Sequence, residues 1–295
     1  MAFLTVFTPT YNRAHTLGRT YESLCKQKCK EFIWLIVDDG STDQTKELVR
    51  KWQKQDNGFE IQYIYKENGG MHTAHNTAYA NIRTELNVCI DSDDKMTSNA
   101  VEKIKAVWEQ IRDKNYAGII ALDSDFNGNI IGKSFSDDMR ETTLGGYYAA
   151  GGQGDKKLIY RTDVINSVPE YPVFSGEKYV GLVYKYTLID QKYKLYVLND
   201  AVCEVEYQPN GSSGTMWRQY LQNPRGFAFL RKTAMIYPIS KKRLVRDCIH
   251  YCSSSQIAKN RKYIQESPRK VLTVVCTPLG GMLTVIIKVL STRKK

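Results

Sequence analysis

Apolar and polar positions along this chain follow two periods. Five short runs, Phe3–Phe7, Phe32–Val37, Ile61–Tyr65, Leu86–Ile90 and Gly118–Leu122, are rich in β-formers and bounded by polar turns. That pattern predicts buried strands. Between them lie stretches of helical spacing, such as Val101, Ile104, Trp108 and Ile111 on one face. Asn99 with Glu102, and Ser41 with Gln44, have the spacing of helix capping boxes. Strands alternating with helices over the first 125 residues predict right-handed crossovers and an α/β fold with a mostly parallel sheet. Beyond residue 123 the alternation fades. Asn127-Gly128-Asn129 reads as a turn, and the glycines at 145–146 and 151–154 read as loops. Leu195–Leu198 and Val202–Val205 are predicted as two further strands, and the chain after Pro224 as basic and helical.

Charge sharpens that last point. From Arg225 to the end there are 16 Lys/Arg against Asp247 and Glu266, a balance of +14, whereas residues 1–224 carry 26 Lys/Arg and 29 Asp/Glu, or −3. A basic final quarter fits an anionic surface, either membrane or nucleic acid. Val271–Ile287 holds no charge over 17 residues and is bracketed by Arg269-Lys270 and by Lys288 with Arg293-Lys294-Lys295. Seventeen residues is short for a span, Pro278 and Gly280-Gly281 interrupt the run, and basic flanks on both sides suit a single crossing poorly. An interfacial or re-entrant hairpin is expected, with a buried core helix as the alternative. Seven cysteines without secretory spacing, and an N-terminus without a signal-peptide pattern, point to a reducing cytosol. Cys25 with Cys29 and Cys248 with Cys252 leave a zinc site conceivable, but the CxxxC spacing fits buried helix positions better.

The chemistry concentrates in Asp91-Ser92-Asp93-Asp94, directly after an apolar strand, at the end of the sheet where open α/β folds bind ligands. Three adjacent carboxylates repel one another, and a hard divalent cation holding phosphate oxygens would relieve them. A solvated acidic turn is the plain alternative. Three more segments follow predicted strands: Thr8-Pro9-Thr10-Tyr11-Asn12-Arg13, Val37-Asp38-Asp39-Gly40-Ser41, and Lys66 to Asn76 with its Gly69-Gly70-Met71-His72. In this order and spacing the four motifs resemble the inverting family 2 glycosyltransferases of GT-A fold, over residues 1–225. The likeness is greatest to bacterial members that build capsule, exopolysaccharide or cell-wall glycans.

The resemblance implies a Rossmann-like mixed, mostly parallel sheet flanked by helices. Residues 1–95 would form the nucleotide-sugar half, 96–224 the acceptor half, and 225–295 a basic, membrane-associating helical tail. It implies metal-dependent transfer, with Mn²⁺ or Mg²⁺, from a nucleotide donor (a UDP-sugar foremost) to a growing, lipid-linked surface polysaccharide. The place would be the cytoplasmic face of a bacterial membrane, held by anionic lipid. Pro9 and Tyr11 would offer an apolar surface to the base, with Asn12 and Arg13 beside them, and Asp39 would accept the imino proton. Gly70, His72 and Asn76 would line the phosphate and sugar pocket, Ser92 and Asp93 would contact the donor, and Asp91, Asp93 and Asp94 would hold the metal. Glu177 would be the base that deprotonates the acceptor, although Lys178 stands where many members carry aspartate. A histidine expected downstream is missing between His75 and His250; Tyr207, Asn210, Ser212, Ser213 or Arg218 would close on the diphosphate instead. The competing readings are a nucleic-acid-binding protein, for which no motif is found, and an inactive GT-A binding module.

Overall fold

The computed structural model describes residues 1–206 and 216–292. They form two compact units, one of residues 1–170 and 188–206, the other of 171–187 and 207–295. This division differs from the expected boundaries at 95 and 224. Residues on either side of 95 share one sheet, because β4 (Leu86–Cys89) pairs with β8 (Lys156–Arg161), so no seam opens there.

The first unit holds every described strand. Before β4 come β1 (Leu4–Thr10), α1 (Ala14–Cys25), β2 (Phe32–Asp38), α2 (Thr45–Gln53), β3 (Glu60–Tyr65) and α3 (Met71–Asn81). Between β4 and β8 lie β5 (Lys95–Met96), α4 (Ala100–Ile111), β6 (Tyr116–Ser124), β7 (Glu141–Thr142) and α5 (Leu144–Ala149). After β8 come α6 (Thr162–Asn166), α7 (Val183–Ile189) and β9 (Lys194–Glu204). The sheet runs β3-β2-β1-β4-β8-β6-β9-β5, with β7 on β9. From the pairings, β1, β2, β3, β4, β6 and β9 point one way and β5, β7 and β8 the other, so the sheet is mostly parallel as expected.

β1 is buried at all seven positions, the mark of a central strand covered on both faces. Leu4, Val6, Trp34, Ile36, Val88, Ile119 and Trp108 join one core. Tyr21 stacks on Trp52 at 4.3 Å between ring centroids, and burial of such side chains contributes about 1.5–3 kcal/mol each.

Local expectations changed in four places. α2 begins at Thr45, and Asp43 accepts its N–H at 3.1 Å, so Ser41 caps nothing. Asn99 sits at the N-cap of α4 without a side-chain cap bond. Gly145 and Gly146 lie inside α5, because Thr143 Oγ1 accepts the Gly146 N–H and Asp190 accepts those of Leu144 and Gly145. The two strands expected near 195 and 202 are one, β9; its register against β6 jumps from Ala121↔Leu198 to Leu122↔Ala201, which loops out Asn199 and Asp200.

The described part of the second unit contains an irregular stretch from 171 with most of α7, then α8 (Met216–Gln222), α9 (Pro224–Ile236), α10 (Lys241–Ile257), α11 (Tyr263–Glu266) and α12 (Lys270–Thr292). Met235, Cys248, Tyr251, Cys252 and Cys276 form one apolar cluster, and Tyr220, Phe227 and Ile287 another. The hairpin reading of 271–287 is overturned: α12 continues through Pro278 and Gly280-Gly281 as one helix.

Candidate active site

Register puts the C-terminal ends of the first strands in one row. Thr10 pairs with Asp38 and Asp38 with Tyr65. β4 ends opposite Phe7, and Ile90 N–H reaches the Phe7 carbonyl at 3.0 Å. The four polar segments therefore leave the sheet along a single rim, and they are tied together there. Asn12 donates its N–H to Ser41 Oγ at 2.8 Å and accepts the Thr42 N–H at 2.8 Å. Its φ of +53°, rare for a non-glycine residue, turns the chain toward that contact.

Asp39 fastens the next loop. Its Oδ1 accepts Lys66 Nζ at 2.5 Å and the Gly69 N–H at 3.0 Å; Oδ2 accepts the Gly70 N–H at 2.7 Å and Asn68 Nδ2 at 3.1 Å. Two glycines are obligatory here. Gly40 has φ +87°, and a Cβ on it would stand 2.8 Å from Asn68 N; Gly70, at φ +95°, turns the loop into α3. Asp39 thus holds the 66–70 loop in place with both oxygens occupied, rather than presenting a lone pair to a base. Pro9 is likewise no surface, being a buried residue of β1 paired with Val37. Tyr11 is 48% exposed on this rim, and Tyr65 at the end of β3 is 54% exposed.

α3 begins beyond Gly70, so its first N–H groups point out of the rim. His72, in its first turn, is buried and neither ring nitrogen has a hydrogen-bond partner. Burial lowers its pKa, with Asp39 opposing and Lys66 adding to the effect. A buried, neutral imidazole with an unused donor and acceptor is costly unless something binds it. His75 is different: its ring is buried, with Nδ1 3.2 Å from Tyr79 Oη and an edge contact to Phe7. Neither histidine is a surface residue. Asn76, further along α3, is half-buried.

The acidic segment divides by role. Asp93 is 18% exposed at its side chain and lies 3.9 Å from Arg13 Nη1. Asp91 is half-buried, whereas Ser92 and Asp94 are buried. Asp94 Oδ2 is 3.8 Å from Lys157 Nζ, which is also 3.8 Å from Asp123 Oδ1. Lys157 and Asp123 escaped the sequence reading; the available signal was a lysine pair opening the apolar run Leu158-Ile159-Tyr160. Burial acts against the Lys157 charge, yet Asp123 and its neighbours outweigh it and raise the pKa well above the usual lysine range. Burial also raises Asp93 and Asp123, and it pushes Asp94 to about 7, with Asp91, Asp93 and Asp123 adding and Lys157 opposing.

Asp91, Asp93, Asp94 and Asp123 thus share two cations, Lys157 and Arg13. Surplus hard oxygen donors are what a divalent ion of the Mg²⁺ or Mn²⁺ type needs. Among the described residues, no three His, Cys, Asp or Glu side chains form an enclosing ligand set. The residues fit an ion shared with a phosphate group, held by one or two carboxylates, with Asp94 turned to Lys157. The cysteine pairs likewise form no zinc cluster among the described residues.

In the second unit Glu177 is buried, and three donors hold it. Oε1 accepts the Arg225 N–H at 3.0 Å and Arg225 Nε at 2.9 Å; Oε2 accepts the Gly226 N–H at 2.8 Å. It caps the N-terminus of α9. Asn223 accepts the Lys178 N–H at 2.8 Å and closes the same joint. Arg218 lies exposed on α8, and Tyr207, Asn210, Ser212 and Ser213 fall outside the described residues.

Comparison with known proteins gives the family and the fold. The pattern of Glycosyl transferase family 2 matches residues 5–165. A putative teichuronic acid biosynthesis glycosyltransferase, TuaG, of Bacillus subtilis is 32% identical over 100 residues, 34% of this chain and 39% of that protein. The chain spans less than half the length of the curated relatives it matches first. S. aureus TarS (residues 1–349), solved in complex with UDP-GlcNAc, has the same fold, with a TM-score of 0.62 and 18% identity over 94% of this chain and 79% of that one. A Pyrobaculum calidifontis mannosyltransferase, in complex with GDP-Man and Mn²⁺, matches at a TM-score of 0.56 and 16% identity, covering 98% and 83%.

Proposed function

This chain belongs to glycosyl transferase family 2, and from that premise we propose that it transfers one sugar, with inversion, from a UDP-sugar to a growing lipid-linked surface glycan. The work is done at the cytoplasmic face of a bacterial membrane. One observation carries the donor half of this reading: Arg13, the N-terminus of α3 with the unpartnered His72, and the surplus carboxylates Asp91 and Asp93 share one rim. A nucleoside diphosphate answers each of them. Arg13 and the α3 N–H groups take its negative charge, His72 hydrogen-bonds phosphate or sugar oxygen, and Tyr11 stacks on the base. A divalent ion held by Asp93 and Asp91, when bound, neutralises the departing diphosphate. Lys66 and Asn68 act through Asp39, fixing the loop from which α3 starts. Glu177, in the second unit, caps α9 and is not assigned the proton. The solved neighbour with UDP-GlcNAc supports the donor class, and the relative named for teichuronic acid supports a cell-surface glycan as product.

The test is Asp93→Ala, assayed by Mn²⁺-dependent hydrolysis of UDP-sugars. Turnover should fall at least about 10²-fold with thermal stability unchanged. Near-native hydrolysis by that variant would refute the assignment.

A further inference from the structure

α12 carries two distinct faces. Thr273, Cys276, Gly280, Thr284 and Ile287 are buried on one of them. This face fits closely against α10: a Cβ on Gly280 would stand 2.4 Å from Cys252 Cβ, and Thr284 Oγ1 lies 3.0 Å from Ser253 Oγ. On the opposite face Val271, Val275, Leu279, Met282, Ile286 and Val289 are 47–81% exposed. Their spacing of four, four, three, four and three residues keeps them in one stripe along the helix. Only 22% of the apolar window of α12 is buried.

We propose that this stripe lies in the plane of an anionic bilayer, at the boundary of headgroups and acyl chains, and does not cross it. The proposal rests on the membrane-bound working place above and specifies how the chain is held there. Length alone would permit a crossing. Three observations favour the surface over a crossing. α10 is seated along α12 from Thr273 to Thr284, so a crossing would drag its middle, with the ionisable His250 and the polar Ser253 to Ser255, into hydrocarbon. Exposed Arg269 and Lys270 stand before the stripe and exposed Lys288 near its far end, so a crossing would carry one of these clusters across the membrane. Finally, residues 225–295 carry a balance of +14, which suits an anionic lipid surface.

The full-length chain is mixed with vesicles of phosphatidylglycerol and phosphatidylcholine, or of phosphatidylcholine alone, and followed by flotation. Bound protein is then washed with alkaline carbonate. Binding to the anionic vesicles and release by carbonate are expected. Leu279→Asp/Met282→Asp, at two exposed positions, should cut the bound fraction at least about tenfold, with circular dichroism and UDP-sugar hydrolysis unchanged. Resistance to carbonate would overturn the proposal in favour of a span. Undiminished flotation of the double variant would overturn the stripe. Self-association abolished by the variant, without vesicle binding, would assign the stripe to a second copy. If the native chain ignores both vesicle types, the membrane location itself fails, while donor hydrolysis still reports on the chemistry separately.

Discussion

Glu177→Gln separates a clamp from a catalyst. The native carboxylate accepts three bonds at 2.8–3.0 Å, two from backbone N–H groups opening α9 and one from the Arg225 guanidinium, which also donates to the Ser175 carbonyl. Glutamine keeps one oxygen. Its amide must then face at least one of these donors, and the negative charge leaves the helix N-terminus. A hydrogen bond to a charged group is worth about 1.5–3 kcal/mol. Charge at a helix end adds about 0.3–1 kcal/mol. Arg225 is 46% exposed at its side chain, so its ion pair counts toward the lower end. The expected loss is therefore about 2–4 kcal/mol of stability, measured by urea unfolding. Transfer to acceptor, assayed well below the melting temperature, should stay within about tenfold of native. A drop in kcat of about 10²–10⁴ with unaltered stability would refute the clamp and restore Glu177 as the base.

Two other substitutions probe buried charge. Lys157→Met should cost about 3–5 kcal/mol at pH 7.5 in the presence of EDTA, because Asp94 and Asp123 lose their shared cation. The deficit should shrink at pH 5.5, since these carboxylates, already raised, then take up protons; a loss under about 1 kcal/mol, or one constant with pH, would contradict the arrangement. His250 is held down to about 4 by burial and by Arg231 and Arg246. Below about pH 6.5 the unfolded chain binds a proton that the folded chain refuses, so stability falls with pH, by about 1–2 kcal/mol at pH 5. Denaturation of His250→Gln at pH 7 and pH 5 should show that part of the drop removed, and an identical drop would exclude His250 as its source.

Much of the donor rim was legible because each motif follows a short apolar run, and a parallel strand has only one end to offer. Legibility stopped where a residue's partner lies far along the chain. Asp39 meets Gly69 and Gly70, Asp94 meets Lys157, and Glu177 meets Arg225. Each pairing involves a carboxylate to which the resemblance assigns a role in binding or catalysis, and nothing local in the sequence reveals its distant partner. β5 and β7, two residues each, are too short to carry any period. β9 read as two strands because Asn199-Asp200 looks like a turn, although Asn199 bonds Phe135 and Asp200 bonds Lys103. α12 read as broken at Pro278 because local propensity ignores the neighbour on which the helix is seated.

The tight crossing at Gly280 limits how this sequence can drift. With no room for even a methyl group beside Cys252 Cβ, a larger residue at 280 demands glycine at 252 or a wider spacing of the helices. Homologues in which both positions change together, small for large, would retain the seam between these helices, and chains that widened only one side would pry it apart.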